Sequence, residues 1–328
     1  MQKIKWALIG CGKVVLQNKT TPFINRYNKI VAICTTNIDH SNAAIDKLKL
    51  KKCNGYDNVF KMLEKESIDA IYICTPPKFH FDYLKKLSKY HISVIYVEKP
   101  FVLNKKQANE ILHEYKKSST KIFVAHYKRL TPQIQKLKKI INTKTLGDVL
   151  YIKGVFNRVF NHQLLYNSWI YKKEISGGGR FFDISPHILD ILYYIFGNFQ
   201  NIKSQVYYEQ KEHSCESGLK TSFKINNINC SLSFDFKAKK DEDILIIHCT
   251  KGIIKTSINR DTTVYLYNNS KVLIKAIKFK KIKTWGIEAI NTIDRLLYGK
   301  SYNTDIANLN DAYIIQTYIE EMLKKGVT

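Results

Sequence analysis

Residues 4–15 read IKWALIGCGKVV, an apolar run that leads into a glycine turn and then into a helix-like segment. In a dinucleotide-binding turn, the first glycine permits the tight bend and the second lets a pyrophosphate approach the backbone at a helix N-terminus. Gly10 and Gly12 occupy these two positions. The stretch therefore predicts a strand, a turn and a helix that together hold a dinucleotide. An ordinary strand–helix turn is the alternative, because Val15 stands where a third glycine is usual.

Strand-like and helix-like segments alternate over the first 125 residues. Near-continuous apolar runs rich in Ile and Val are typical of parallel strands that are buried on both faces. The alternation predicts an α/β fold with an N-terminal Rossmann domain, a doubly wound parallel sheet, over residues 1–125. The predicted strands are IKWALIG, KIVAICTT, IDAIYICT, HISVIYVE and KIFVAH, and the predicted helices cover Asn42–Leu50, Asn58–Glu66, His80–Tyr90 and Lys105–Lys117, the last with Asn104 as its N-cap.

The pattern changes after about Thr131. A helix over Pro132–Asn142 leads into a long alternating strand, and residues 200–280 contain repeated β-type runs separated by turn residues such as NN and KG. This part predicts a C-terminal α+β domain over residues 126–328 with an open, mostly antiparallel sheet. Two further helices are predicted over Ile287–Tyr298 and Ile306–Lys324.

The composition excludes some classes of protein. The chain has 328 residues, 45% of them hydrophobic and 12% aromatic, which is too apolar for a disordered chain. Its net charge of +25 suggests nucleic acid as a partner, but only six of the 53 basic residues are Arg, the residue that nucleic-acid readers favour. A lysine excess of this kind is typical of an AT-rich genome. We therefore predict no nucleic-acid partner, although a positive field would still attract a phosphate-bearing ligand.

The cysteines indicate a reducing compartment. Their number, seven, is odd, and no CxxC pair occurs, so neither a disulfide framework nor a metal site is predicted. The apolar run at the N-terminus is cut short at Gly10, and no stretch reaches the ~18–20 apolar residues of a membrane span. We expect a cytoplasmic protein with no membrane partner.

The end of the second predicted strand bears on the choice of cofactor. An acidic residue there would bind the 2′-hydroxyl of NAD, but the chain reads Thr35, Thr36 and Asn37, and Asp39 lies past the strand end. Without a carboxylate, a 2′-phosphate meets no repulsion. The sequence therefore favours NADP(H), with NAD(H) as the alternative.

Two polar motifs follow later strands of the same sheet, at its carboxyl edge, where ligands bind in such folds. The first is Cys74–His80, CTPPKFH, and the second is Val97–Pro100, VEKP. Lys99 in the second motif could hold a substrate hydroxyl. The alternative for Lys99 is an ordinary solvated side chain.

A third motif combines a glycine run with an apolar helix, SGGGRFFDISPHILD over residues 176–190. Asp183, His187 and Asp190 are spaced to share one helix face. Because Pro186 is expected only in a first helical turn, we place Asp183 at or just before the N-terminus. A carboxylate beside an imidazole is the arrangement of an oriented general base. The alternative is an N-cap aspartate with a buried structural histidine.

These motifs, in this order, resemble the glucose–fructose oxidoreductase/inositol dehydrogenase/MocA (Gfo/Idh/MocA) family. The resemblance covers most of the chain and includes ALIGCGKV, CTPPKFHFDYLKKL, VEKP, KRLTP and GGGRFFDISPHILDILYYIFG. It implies that Lys99 is the catalytic lysine, His187 the general acid/base and Asp183 the carboxylate beside it. The outer face of the second sheet commonly forms dimers or tetramers in this family. The resemblance and the motifs together predict the residues that contact the cofactor. They are Gly10, Gly12, Lys13, Val14, Thr35, Thr36, Asn37, Thr75, Pro76, Pro77, His80, Glu98 and Lys99.

Departures from the family pattern concern both the cofactor and the substrate. Thr35 stands where an Asp is common, and residues 126–128 lack the amide-bearing pattern that often precedes Arg129. The resemblance implies an NAD(P)-dependent oxidoreductase that acts on a sugar, a polyol or a related ring compound. The alternatives are a nucleotide-sugar dehydrogenase or ketoreductase of glycan synthesis and a catalytically inactive cofactor-sensing regulator.

Overall fold

A computed structural model describes residues 3–12, 15–16, 24, 28–159, 168–208, 215–281 and 286–324. Two of the predicted cofactor contacts, Lys13 and Val14, lie outside these residues. The chain divides into two compact units: Met1–Tyr127 with Ile282–Tyr313, and Lys128–Lys281 with Ile314–Thr328. The predicted domains differ from these units in residues 126–127 and 282–313, and the predicted domain boundary at 125/126 stays a prediction.

The first unit contains a six-stranded parallel sheet in the order β3-β2-β1-β4-β5-β6. Strands β1, β4 and β5 are almost entirely buried, which accounts for their continuous apolar sequences. The order confirms the predicted doubly wound Rossmann sheet. The strands are β1 Lys5–Ile9, β2 Lys29–Cys34, β3 Asn54–Tyr56, β4 Ala70–Ile73, β5 Val94–Val97 and β6 Lys121–Val124.

Three helices of the first unit begin at asparagine caps. The helices between its strands are α1 Ile38–Lys47, α2 Val59–Lys65, α3 His80–Leu87 and α4 Lys105–Glu114, and the capped ones are α1, α2 and α4. Asn58 and Asn104 cap α2 and α4 close to the predicted starts. For α1 the predicted start at Asn42 is wrong. The side chain of Asn37 accepts a hydrogen bond from the backbone of Asp39 and starts that helix earlier.

The second unit is built on an eight-stranded sheet in the order β14-β13-β12-β11-β7-β10-β9-β8. Among these described strands only β7 and β10 pair in parallel, so the predicted mostly antiparallel sheet is confirmed. Its strands are β7 Val149–Asn157, β8 Phe199–Tyr208, β9 Glu216–Ile225, β10 Ile228–Asp235, β11 Glu242–Cys249, β12 Gly252–Thr256, β13 Thr263–Tyr267 and β14 Leu273–Lys278.

Helices cover one face of this second sheet. They are α5 Pro132–Asn142, which matches its predicted bounds, the short α6 Lys173–Ser176, and α7 Arg180–Phe196. Phe181 of α7 meets Phe234 of β10 edge to face, with ring centroids 4.9 Å apart. Alternate residues of β9 and β11 are buried in the same core. The packing leaves the opposite face of the sheet without a helix among the described residues.

The chain ends in α8 Ile287–Leu297 and α9 Leu309–Lys324. Residues just before α9 extend the edge of the parallel sheet, because the Val124 amide donates to the Ala307 carbonyl at 3.0 Å. This pairing explains why α9 starts at Leu309 and not at the predicted Ile306. Within the described ranges, no helix combines the length and apolar character that a bilayer crossing requires.

Candidate functional site

The turn after β1 requires a glycine at its first position. Gly10 has a φ of 87°, and a Cβ atom there would lie 2.7 Å from Cγ2 of Thr75, which follows β4. The Gly10 amide donates to the Cys34 carbonyl at 2.8 Å and so continues the pairing with β2 past the strand end. The turn is therefore held tightly against both neighbouring strands.

The second glycine of the turn is exposed and faces open space. No described atom lies within 4 Å of a Cβ built on Gly12, so the protein's own packing does not call for glycine there. The Oγ1 atom of Thr75 is buried and has no hydrogen-bond partner among the described residues. Burial raises the pKa of the Cys11 thiol to about 11, so the turn carries no thiolate that would repel a phosphate. These features fit a dinucleotide pyrophosphate.

The polar residues after β2 are engaged with one another. The Thr35 hydroxyl donates to the Asn37 carbonyl at 2.7 Å, and Asn37 Oδ1 accepts the Asp39 amide at 2.7 Å. Thr36 is exposed. The capping bond leaves the Asn37 side chain with its amide nitrogen, a donor, for any further contact.

A carboxylate that the sequence analysis missed lies beside this strand end. Asp57 follows β3 directly and is exposed, and the Thr35 amide donates to the carbonyl of the preceding Tyr56 at 3.0 Å. Burial, together with the negative charge of Asp57, raises the pKa of the Cys34 thiol to about 12. No sequence spacing linked Asp57 to Thr35, because only the pairing of β3 with β2 brings the two strand ends together.

His80 links two chain segments at the carboxyl edge of the parallel sheet. Its side chain is fully buried, and Nε2 lies 2.7 Å from the Thr75 carbonyl while Nδ1 lies 3.1 and 2.9 Å from the carbonyls of Pro100 and Phe101. Both ring nitrogens are thus engaged by the backbone. The ring thus joins the segment after β4 to the segment after β5, and the predicted cofactor contact of His80 stays a prediction.

Glu98 is also held by protein groups. The Tyr72 hydroxyl donates a short hydrogen bond to Oε1 of Glu98, and the Lys99 amide donates to Oε2 at 3.3 Å. Burial and the Glu98 charge raise the pKa of the Tyr72 hydroxyl well above its usual value, so this hydroxyl remains a donor. The carboxylate fixes the backbone of Lys99, whose side chain is half-buried. Pro76, also half-buried, and the buried Pro77 lie at the same edge, before α3.

In the second unit, Asp183 and His187 lie one turn apart on α7, and both are half-buried. The predicted helix start is wrong: α7 begins at Arg180, so Asp183 is already inside the helix and Pro186 lies in the second turn. A proline there removes one backbone hydrogen bond from the helix. Arg180 contacts Asp183 at 3.4 Å.

Asp190, the third polar residue of α7, forms a structural ion pair. It is fully buried, and its Oδ2 accepts a hydrogen bond from Nε of Arg129 at 3.0 Å while its Oδ1 accepts a second, short one. Burial raises the pKa of Asp190, and the guanidinium opposes this rise. The pair joins α7 to the turn before α5. In the described ranges, no group of three His, Cys, Asp or Glu side chains is placed to hold a metal ion.

Comparison with known proteins agrees with these features. A model of the oxidoreductase family with an NAD-binding Rossmann fold matches residues 4–126, and a model of the GFO/IDH/MocA C-terminal domain matches residues 134–255. Oxidoreductase P35 of Formosa agariphila is 32% identical over 269 residues, which cover 79% of this chain and 81% of that protein.

Two further similarities bear on function. The galactose/lactose metabolism regulatory protein GAL80 of Kluyveromyces lactis is 24% identical over 187 residues, which cover 54% of this chain and 41% of that protein. A structure of levoglucosan dehydrogenase with NADH and levoglucosan shares the fold at a TM-score of 0.85 and 18% identity, over 99% of this chain and 97% of that one. With two family models and a relative that matches most of its length, the chain belongs to the Gfo/Idh/MocA family of NAD-binding oxidoreductases.

Proposed function

We propose that the protein transfers a hydride between a nicotinamide cofactor and a secondary hydroxyl or ketone of a sugar, polyol or related ring compound. The observation that carries the proposal is the shared edge of the parallel sheet, where the glycine turn follows β1 and Lys99 follows β5. Only β4 lies between these strands, so their ends are about 10 Å apart at the usual strand spacing. A lysine at that distance from a dinucleotide turn suits a substrate bound beside the nicotinamide.

The proposed cofactor site uses residues of the first unit. We expect the pyrophosphate at Gly10 and Gly12, continued by Lys13 and Val14, and the ribose and nicotinamide along Thr75–Pro77. The open space at Gly12 and the buried Thr75 hydroxyl support this assignment. When bound, the nicotinamide supplies the acceptor or donor of the hydride.

The proposed proton chemistry uses three side chains. His187 accepts the proton of the substrate hydroxyl during oxidation and returns it during reduction. Lys99, as an ammonium, stabilises the negative charge that develops on the substrate oxygen. Asp183 lies one helical turn from His187, where its negative charge favours the protonated imidazole. A general base of this kind contributes ~10²–10⁴-fold to the rate.

For the cofactor, we propose that NADPH binds at least as tightly as NADH. The support is the set of hydroxyl and amide groups at Thr35–Asn37, which lacks a carboxylate that would repel a 2′-phosphate. Asp57 is the nearby negative charge that opposes this preference.

The proposal is tested with His187→Ala and Lys99→Ala variants, assayed on polyols, aldoses and nucleotide-linked sugars. We expect each variant to lose ~10²-fold or more in kcat, because each lacks a group that acts in the transition state. The affinity for NAD(P)H, measured by fluorescence titration, should stay close to that of the wild type. The double variant should lose much less than the product of the two single losses, because coupled groups fail together.

The matched control is His248→Ala. His248 belongs to the same unit but lies on β11, stacked on Tyr151 with ring centroids 3.9 Å apart. It should keep the wild-type kcat. A His187→Ala variant that keeps its turnover but loses stability would refute the proposed role and make His187 a structural residue.

The similarity to GAL80 favours a second candidate, a regulator that binds the cofactor without turning over a substrate. The presence of Lys99, Asp183 and His187 argues against it, because a sensor does not need all three. Saturable NAD(P)H binding without turnover of any sugar in the panel would support the regulator and contradict the proposed oxidoreductase activity.

A further inference from the structure

Helix α7, which bears Asp183 and His187, has no N-terminal cap of its own. Its N-cap residue is Gly179, which has no side chain, and no side-chain capping bond is made from that position. The first backbone N–H groups of a helix have no acceptor inside the helix and must find one elsewhere. For a buried helix start, that acceptor must come from the surrounding protein.

Glu216, the first residue of β9, supplies this acceptor. Glu216 is only 3% exposed, and both of its carboxylate oxygens lie 2.8 Å from the Gly179 amide nitrogen. Oε1 also accepts the Phe182 amide at 3.0 Å. In a capping box, two side chains of the helix share these two tasks. Here one carboxylate from a distant strand performs both, and its negative charge lies at the positive end of the helix dipole.

The backbone of the glycine run is fitted to this contact. A Cβ atom on Gly179 would lie 2.8 Å from the Glu216 carbonyl oxygen and 3.1 Å from Cβ of Cys215. Any side chain at position 179 would therefore push the helix start away from β9. This requirement accounts for Gly179 without any ligand.

The other end of α7 is tied to the same strand. Asn226, which follows β9, donates from Nδ2 to the Phe196 carbonyl at 2.7 Å, and Phe196 is the last residue of α7. The first residue of β9 and the residue that follows this strand thus contact the two ends of the helix, each through its side chain. Asp183 and His187 lie in the first two turns, next to the Glu216 end.

We propose that Glu216 is a positioning residue for the oxidoreductase chemistry: it fixes the first turn of α7 and thereby the orientation of Asp183 and His187. This inference rests on the proposed function. Because Pro186 already removes one backbone hydrogen bond from the second turn, the helix start depends strongly on the bonds that Glu216 accepts.

The test compares Glu216→Gln and Glu216→Ala with a control variant, Asn226→Gly. The control removes the side-chain bond at the opposite end of the same helix, and glycine suits the φ of 47° at that position. For Glu216→Ala we expect kcat to fall by about 10–100-fold, as for a small misplacement of catalytic groups, with unchanged substrate KM and NAD(P)H affinity. Glu216→Gln keeps one acceptor oxygen and should lose less. Asn226→Gly should lose stability but keep its kcat.

Two readouts do not depend on turnover. Hydrogen exchange should show lost protection of the Gly179 and Phe182 amides in Glu216→Ala and a smaller loss in Glu216→Gln, and the NMR signals of the His187 ring should shift in the same order. In Asn226→Gly, both should stay as in the wild type. If Glu216→Ala does not fold, Glu216→Gln and the control decide the question.

The opposite results would overturn the inference. Equal losses of kcat in Glu216→Ala and Asn226→Gly would make Glu216 a purely structural residue, as would unchanged exchange and unchanged His187 signals in the Glu216 variants. A wild type that turns over no sugar would contradict the proposed function, whereas the exchange and the His187 signals would still decide whether Glu216 positions the helix.

Discussion

Thr35 and Asp57 lie at the ends of adjacent strands, where we propose that the cofactor ribose binds. The Thr35 hydroxyl and amide are engaged with Asn37 and Tyr56, whereas the Asp57 side chain is exposed. The two residues are 22 positions apart in the sequence but follow adjacent, paired strands. Both therefore act on the same part of the proposed cofactor site.

Adding a negative charge at position 35 and removing the one at position 57 should shift the cofactor preference in opposite directions. Thr35→Asp should shift it toward NADH, because the new carboxylate accepts the 2′-hydroxyl and repels a 2′-phosphate. Asp57→Asn should shift it toward NADPH, because it removes the nearby negative charge. Each shift should be about 10-fold or less for an exposed charge, measured as the ratio of the two dissociation constants. A wild type that strongly prefers NADH would contradict the proposed preference and assign discrimination to Asp57.

His80 is a buried side chain that links two segments of the proposed cofactor site. Its ring joins the backbone at Thr75 to that at Pro100 and Phe101, next to Lys99. The two segments come from different strands, β4 and β5, and the ring fixes the distance between them.

At the scale of the elements, α8 is attached to the parallel sheet through a buried carboxyl group. Asp294 of α8 accepts a hydrogen bond from Nδ2 of Asn28, the residue before β2, at 2.7 Å. Burial raises the pKa of Asp294 to about 6, although the bond from Asn28 opposes this rise. The contact helps to explain why residues 282–313 group with the first unit.

Asp294 should make the stability of the protein depend on pH. Its pKa is higher in the folded state than the ~3.9 of an unfolded chain, so folding favours the protonated form. The free energy of unfolding should therefore increase as the pH falls from above 6 toward 4, and this gain should be absent at pH 8. Asp294→Asn should be more stable than the wild type at pH 8 by on the order of 2 kcal/mol.

Urea unfolding of Asp294→Asn at pH 5 and pH 8 measures this effect, with Asp46→Asn, an exposed residue of α1, as control. The advantage of Asp294→Asn over the wild type should shrink at pH 5. An advantage that is the same at both pH values would show that the titration of Asp294 does not contribute.

The Arg129–Asp190 pair attaches α7 to the chain before α5. Both side chains are almost completely buried, with 4% and 1% of their surfaces exposed, so a partner left alone would be an uncompensated charge. Arg129→Met should lower the stability by about 3–5 kcal/mol, measured by denaturant unfolding. Arg129→Met with Asp190→Leu should recover much of this loss. A single variant as stable as the wild type would mean that Asp190 is already neutral when folded.

For the whole molecule, we propose a homodimer or homotetramer formed through the uncovered face of the eight-stranded sheet. On β11, Ile244 and Ile246 on this face are half-buried, while the alternating residues point into the core. In the same sheet, Tyr151 on β7, next to β11, is 43% exposed, and Leu273 on the edge strand β14 is 50% exposed. Such apolar surface is typical of an interface.

Charge on this face should separate the subunits. Tyr151→Glu combined with Leu273→Glu should convert the oligomer to a monomer, because burying carboxylates in an apolar interface is strongly unfavourable. Phe60→Glu, which also changes an exposed aromatic residue but lies on α2, should leave the oligomer unchanged. Light scattering coupled to size exclusion measures the mass. A wild type that is monomeric at micromolar concentration would refute the proposal.

Local sequence determined those features of the protein that depend on neighbouring residues. The apolar runs specified the parallel strands, Asn104 specified the start of α4, and the spacing of Asp183 and His187 on one helix followed from helical periodicity. These features involve residues within one strand or one turn of each other, where propensity and periodicity act directly. The motifs at the ends of β1, β4 and β5 were predictable for the same reason.

Tertiary structure alone decided the features that join distant segments. The start of α7 was predicted wrongly because its cap, Glu216, lies 37 residues from Gly179. The ring of His80 lies within hydrogen-bond distance of carbonyl groups of two different segments, which only the fold brings together. Asp57 reaches the end of β2 only through strand pairing. For Glu216 and His80 the partner of a polar group is chosen by burial, since a buried donor or acceptor must bind whatever the fold brings within reach, and no local pattern encodes that choice.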